Sequence, residues 1–262
     1  MPTLLHDAER ILRECFRNFA AYPGATIVED SGVFGVMTNL PISFFSGIAA
    51  TDIGGGEDVD RIAARFRRRG LPFRWWLTPS VRPPDLETLL LERGFRHTYD
   101  ARGMVADLDA VDFDTSLEPG VVIRRLTNLD EFEDWLDVFI LSFARPAEER
   151  AVWREAYEFF GFDADAEWTH FVGYRDGAPV STTSVLHAGD LGGIYQVATV
   201  PQARGRGIGR AVTLAAMKHA RHRGARRAVL QSSEMGFGVY RAIGFEDVCP
   251  LRLYDWRPEY ER

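Results

Sequence analysis

One order of landmarks occurs twice in this chain. A long helical segment ends in Arg-Gly, at Arg69-Gly70 and again at Arg223-Gly224. Each is followed by a strand, a shorter helix and a Gly-Phe pair, Gly94-Phe95 and Gly244-Phe245. The halves read as a tandem duplication. With 262 residues, 46% of them hydrophobic, the chain can supply two domain cores of ordinary size.

Hydrophobic periodicity fills in the elements. Leu4, Leu5, Ala8, Ile11, Leu12, Cys15, Phe16 and Phe19 fall at helical spacing and predict an amphipathic helix ending near Tyr22-Pro23-Gly24. Strand-like runs follow to Thr51, then a helix from Glu57 to Arg69, a strand from Phe73 to Thr78, a short helix from Asp85 to Arg93 and a strand from Phe95 to Leu108. The polar, acidic stretch from Asp109 to Gly120 is expected to separate a domain at 1–115 from one at 120–262. The second half restarts with a strand from Val121, two helices, a hairpin turning at Asp176-Gly177, a strand from Ile194 to Val200 and a helix from Gly207 to Arg223. Strand Ala228–Gln231, helix Gly236–Ile243 and strand Glu246–Tyr254 complete an alternating α/β order. The basic run Arg65–Arg69 reads as a solvated helix face, and Trp75-Trp76 and Phe44-Phe45 as core.

A net charge of −7 carries no overall footprint for nucleic acid or anionic membrane. His6, Asp7, Glu9 and Arg10 stand where a signal peptide would need an apolar core, and Cys15 and Cys249 are too few for a disulfide framework, so a cytoplasmic location is expected. No metal-ligating set is expected.

The strongest chemical signal lies between Val197 and Arg210, where the strand Val197-Ala198-Thr199-Val200 runs through Pro201-Gln202-Ala203-Arg204-Gly205-Arg206 into a helix opening Gly207-Ile208-Gly209-Arg210. Glycines allow a tight turn that aims several N–H groups at one point beside the positive end of a helix dipole, a geometry that binds pyrophosphate. Arg204, Arg206 and Arg210 add guanidinium forks at the same mouth. A Walker loop would need Gly-Lys-Ser/Thr at the helix start. A dinucleotide fingerprint would need a small residue at Arg210 or Val212 and an acid about 20 residues on, whereas the first carboxylate after Gly209 is Glu234. Neither pattern is met.

This segment resembles the acetyl-CoA loop of the GCN5-related N-acetyltransferase (GNAT) superfamily, Arg/Gln-x-x-Gly-x-Gly/Ala, with Arg204, Gly207 and Gly209 in the defining positions. The family's second signature follows as Val229-Leu230-Gln231 and the helix end Val239-Tyr240-Arg241-Ala242-Ile243-Gly244-Phe245. The resemblance implies an α/β (α+β) fold of two tandem GNAT-like domains, each a mixed, mostly antiparallel sheet flanked by helices. It also implies acetyl-CoA as cofactor, with coenzyme A as product. Val197, Ala198 and Thr199 would hold the pantetheine arm, Arg204, Gly205, Arg206, Gly207, Ile208, Gly209 and Arg210 the diphosphate, and Ser233 would hydrogen-bond the arm where the family often has Asn. Tyr240 fills the position of the catalytic acid; a phenol, with an ordinary pKa of about 10, is a competent donor to a departing thiolate. Gly236 stands where the family often has Ala, and with Gly238 it should weaken that helix.

The general base stays open among His187, His170, Asp190, Glu234 or a water, with Tyr195 and Gln196 too weak to serve at neutral pH. The stretch from Tyr157 to Phe162 lines either the acceptor cleft or the core. In the first half, the counterparts of Arg206, Arg204 and Tyr240 are Asp52, Ala50 and Leu90, and Glu57, Asp58 and Asp60 stand at the helix start. That half is expected to bind no diphosphate and to serve either as structural support or to close the acceptor cleft.

The expected function is acetyl transfer from acetyl-CoA to a primary amine of a small molecule or peptide by a monomer or homodimer, with no nucleic-acid or membrane partner. Two rivals remain: a non-catalytic acetyl-CoA sensor, and an aminoacyl-tRNA-dependent peptidyl transferase, which would need a basic RNA-binding surface that a charge of −7 does not suggest.

Overall fold

The computed structural model describes residues 3–30, 32–115 and 117–261. In chain order the elements are α1 (Leu4–Phe19), β1 (Thr26–Asp30), β2 (Val33–Met37), β3 (Gly47–Thr51), α2 (Gly56–Arg67), β4 (Phe73–Leu77), α3 (Leu86–Glu92), β5 (Arg96–Asp107), β6 (Val121–Arg125), α4 (Leu129–Ser142), α5 (Glu149–Phe160), β7 (Trp168–Arg175), β8 (Ala178–Ala188), β9 (Leu191–Thr199), α6 (Ile208–His222), β10 (Arg227–Ser232), α7 (Glu234–Ile243) and β11 (Glu246–Trp256). The stretch from 25 to 51 resolves into three strands. Elsewhere the expected elements recur within a few residues.

Helix starts follow local chemistry. Thr3 caps α1 by accepting the His6 N–H, and Asn128 caps α4 by accepting from Glu131 N while the Glu131 carboxylate accepts from Thr127 N.

The chain forms two compact units: Met1–Gly103 with Gln231–Glu234 and Val248–Arg262, and Met104–Leu230 with Met235–Asp247. The first unit therefore ends earlier than the acidic stretch at 109–120 suggests, and it takes back the C-terminal strand, whose Arg252–Trp256 pair antiparallel with Leu77–Phe73. Composition cannot reveal this return, because strand pairing is a long-range choice.

In the first unit the strands run β1-β2-β3-β4-β11, and β3–β4 is the parallel contact among them. Trp75, Phe73, Phe95, Tyr254 and Trp256 fill its core with Val59, Ile62 and Phe66 of α2. Trp75 is fully buried, and its indole N–H donates to Thr51 Oγ1 at 2.8 Å. In the second unit the strands run β10-β9-β8-β7-β6, with β10–β9 the parallel contact. One core packs Leu214, Ala216, Met217 and Ala220 of α6 on Phe171, Val185 and Ile194. On α4 and α5, Phe132, Trp135 and Tyr157 are fully buried. Each such aromatic removes enough apolar area to contribute about 1.5–3 kcal/mol or more.

Of the basic run at the end of α2, Arg68 is exposed as expected, but Arg67 and Arg69 are not free in solvent. Arg67 lies 5.4 Å over Trp256 and 5.8 Å over Phe95 and donates to the Arg93 carbonyl. Arg69 donates to Asn39 Oδ1 and Thr26 Oγ1 at 2.7 and 2.9 Å. Charge in the sequence says nothing of the stems and ring faces these guanidinium groups find.

Candidate active site

In the second unit β9 and β10 pair only at Leu191–Gly193 and Arg227–Val229. Beyond Gly193 the parallel register ends, and Ile194–Thr199 leaves its neighbour. On the other side, the pairing of β9 with β8 shifts between Thr182 and Ser184, and Gln196 takes a φ of 47°. This bulge is held by hydroxyls. Ser181, Thr182, Thr183 and Ser184 are all fully buried. Ser181 Oγ donates to Ala198 O at 2.6 Å, Thr182 Oγ1 to Gln196 O at 2.9 Å and Thr183 Oγ1 to Tyr195 O at 3.4 Å. Side chains thus satisfy carbonyls that the bulge takes out of the ladder. Thr182→Val keeps the shape and strips the donor, so it should cost about 1–2 kcal/mol through the orphaned Gln196 carbonyl. Denaturant titration measures this, and a loss below about 0.3 kcal/mol would show that the carbonyl does not depend on it.

The strand leads into the glycine-arginine turn. Gly205 and Gly207 have φ of 75° and 76°, left-handed conformations that side chains disfavour. Gly209 lies so close to Thr199 that an added Cβ would stand 3.2 Å from Oγ1. Thr199 Oγ1 is itself 2.9 Å from Ser181 Oγ, and its carbonyl accepts from Arg204 Nε at 2.9 Å. Through these contacts Thr199, Arg204 and Gly209 come together. Among the described residues, the backbone N–H groups of Gly205, Arg206, Gly207, Ile208, Gly209 and Arg210 meet no acceptor; the ladder resumes with Ala211 N to Gly207 O. α6 has no side-chain cap. Six open donors at a helix N-terminus form an anion cradle. Arg206 is 3.5 Å from Glu118, and Arg210 donates to Asp114 O at 3.4 Å, both loose enough to exchange for a stronger anion. A diphosphate fits this donor set.

Tyr240 sits on α7, which forms over Glu234–Ile243 despite Gly236 and Gly238. Its ring meets Phe245 edge-on at 5.8 Å, and Tyr240 and Val197 border the same core cluster. Ser233, which follows β10, hydrogen-bonds the Tyr99 phenol.

Neither candidate histidine offers a base of ordinary strength. His170 is 1% exposed, ringed by Phe132, Trp135, Tyr157, Phe162 and Trp168, and burial pushes its pKa down to about 3. Its Nδ1 is 2.7 Å from Ser184 Oγ, and its Nε2 is buried without a partner. His187 is likewise pushed to about 3, by burial and then by Arg223 and His219, and its Nε2 is 3.1 Å from Thr169 Oγ1. The Asp190 carbonyl receives Arg226 N, and Glu234 is exposed. Gln196 Nε2 donates to the Tyr157 hydroxyl at 3.0 Å while its Oε1 stays buried without a partner. The hydroxyl ladder and this Tyr157–Gln196 pair are what sequence reasoning missed. The only signal was a Ser-Thr-Thr-Ser run inside a strand.

Comparison with known proteins agrees with this geometry. Residues 131–245 match the acetyltransferase (GNAT) family. A mycothiol acetyltransferase of Thermobispora bispora is 28% identical over 202 residues, covering 75% of this chain and 58% of that protein, so the chain spans a little over half of its relative's length. The fold is similar to that of a GCN5-related N-acetyltransferase from Kribbella flavida, with a TM-score of 0.71, 17% identity and 95% of both chains covered. It is also similar to a tandem GNAT protein from the clavulanic acid biosynthesis pathway, with a TM-score of 0.60, 17% identity, and 96% of this chain and 88% of that one covered.

Proposed function

From the premise that this chain carries a GNAT acetyltransferase domain, we propose that its second unit transfers acetyl from acetyl-CoA to a primary amine of a small molecule or peptide. When bound, acetyl-CoA supplies an acetyl thioester open to attack by the amine, with coenzyme A thiolate as leaving group. The observation that carries this reading is the cradle of six open N–H groups among three arginines, where β9 has left β10.

In this reading Gly205–Arg210 and Arg204 hold the diphosphate, while Val197, Ala198 and Thr199 present backbone to the pantetheine arm and thioester carbonyl. Tyr240 protonates the leaving thiolate. Depressed histidine basicity directs deprotonation of the ammonium to water or to the acceptor's own equilibrium. Ser233, which already hydrogen-bonds Tyr99, has capacity left to bond the pantetheine arm. Domains 1–115 and 120–262 remain the proposed evolutionary units, which need not coincide with the compact ones. The acceptor panel begins with a mycothiol-type amine, after the relative's name, and continues with polyamines, amino acids and peptide N-termini.

Calorimetric titration of acetyl-CoA tests the proposal. Wild type should bind, and Arg206→Glu should bind at least tenfold more weakly, because a charge-assisted hydrogen bond of about 1.5–3 kcal/mol becomes a repulsion. Arg206 reaches solvent and among the described residues pairs only with Glu118 at 3.5 Å, so the variant should fold normally. Absence of wild-type binding would overturn the reading. Binding without turnover on any amine would favour a sensor.

A further inference from the structure

The first unit repeats the parting of strands, but acids stand at its helix start where the second unit has arginines. Here β3 and β4 pair in parallel only at Gly47–Ile48 and Arg74–Trp75, and beyond them a cavity of about 180 Å³ opens. Ala49, Ala50, Thr51 and Asp52 form one wall, Thr78 and Ser80 another, and Glu9 and Arg13 of α1 a third. A diphosphate has no place at the turn that follows. Gly54 N–H already donates to the Asp58 carboxylate at 2.9 Å, Asp52 N to Gly32 O, and Ile53 N to Arg82 O. The Asp58 carboxylate takes the Gly54 donor, and with Glu57 and Asp60 it sets negative charge at the helix start, which repels a diphosphate.

The cavity carries charges of both signs with little to satisfy them. Among the described residues, Arg13 makes no hydrogen bond or ion pair, and neither does the Asp52 carboxylate. Glu9 uses Oε1 to accept from Ser80 N at 3.0 Å. Arg13 and Glu9 lie one turn apart on α1 and so share a face. A part-buried guanidinium without a partner favours a planar carboxylate, which it can grip with two parallel bonds. Two carboxylates across the same space favour an ammonium, whose three donors need several acceptors. The hydroxyl of Thr78, largely buried, adds a further polar contact.

We infer that this cavity binds a small amino acid, its carboxylate on Arg13 and its ammonium toward Asp52 and Glu9. Size agrees. An apolar cavity of about 150 Å³ holds benzene, with six heavy atoms, so the space here accommodates glycine to serine or a short ω-amino acid. The inference rests on the first unit alone and stands whether or not the second unit transfers acetyl groups.

The test is calorimetric titration of the full chain with glycine, L-serine and 4-aminobutyrate, with ethylamine and acetate as single-charge controls. At least one amino acid should bind saturably and at least tenfold more tightly than either control. Arg13→Gln and Asp52→Asn should each weaken it at least tenfold. Both side chains reach solvent, so an unchanged melting temperature without ligand confirms the fold. Arg206→Glu should leave the amino acid's affinity unchanged, which separates this cavity from an acceptor site in the second unit. Failure of all three amino acids to bind, equal binding of ethylamine, or wild-type affinity in Arg13→Gln would overturn the assignment.

Discussion

Between pH 6.5 and pH 3 the second unit is expected to lose about 4 kcal/mol of stability through His170 alone. In the folded chain this imidazole is neutral, since burial among five aromatic rings and the absence of any partner at Nε2 hold its pKa near 3. In the unfolded chain it takes up a proton at its ordinary pKa of 6.5. The unfolded state therefore binds more protons below pH 6.5. The stabilisation is complete above that value and drains away as pH falls towards 3. His187 and His219 are depressed in the same direction and steepen the slope. His170→Phe removes the titration while keeping a ring in the cage. It should be less stable at pH 7, because Ser184 loses its partner, yet the gap to wild type should close by about 2.5 kcal/mol between pH 7 and pH 4.5. Urea titrations at both pH values measure this. Parallel losses in the two proteins would show that His170 is not the group that responds.

Tyr240→Phe should lower kcat by about 100-fold, the lower end of what a positioned general acid contributes, because a thiolate leaves more readily than an alkoxide or amine. The acetyl-CoA affinity should hardly change. Phenylalanine keeps the edge-on contact with Phe245 and the packing at the core's rim, so the variant removes the hydroxyl and keeps the ring. A free-thiol assay over a range of acetyl-CoA and amine concentrations separates kcat from KM. A change in KM alone would make Tyr240 a binding residue, and a decrease in kcat below threefold would leave the thiolate to solvent.

Much of this was legible in the residues. Gly205, Gly207 and Gly209 beside Arg204, Arg206 and Arg210 announce an anion cradle, because the φ values of 75° and 76° and the close approach to Thr199 suit glycine and little else. Asp176-Gly177 announces the β7–β8 hairpin. The acids at 57, 58 and 60 already spoke against a phosphate in the first half, and the bond from Gly54 to Asp58 gives that loss a mechanism. What misled was exposure inferred from charge: Arg67 and Arg69 read as solvated, yet they stack on Trp256 and tie α2 to Thr26 and Asn39.

Alone, the sequence determined what local physics controls: the helices with their caps, the tight turns, the duplicated order of elements and the cradle of N–H groups at the start of α6. Each depends on neighbours within a few positions, where spacing and backbone preference act directly. Tertiary structure decided what depends on partners far along the chain. It returned the C-terminal strand to the first unit, placed Ser233 beside Tyr99, sank His170 into an aromatic cage and met the β9 bulge with three buried hydroxyls. It also brought Arg13 and Asp52, distant in the chain, to the walls of one cavity. Desolvation and long-range pairing set these outcomes, and neither has a period or a spacing that a one-dimensional reading can detect.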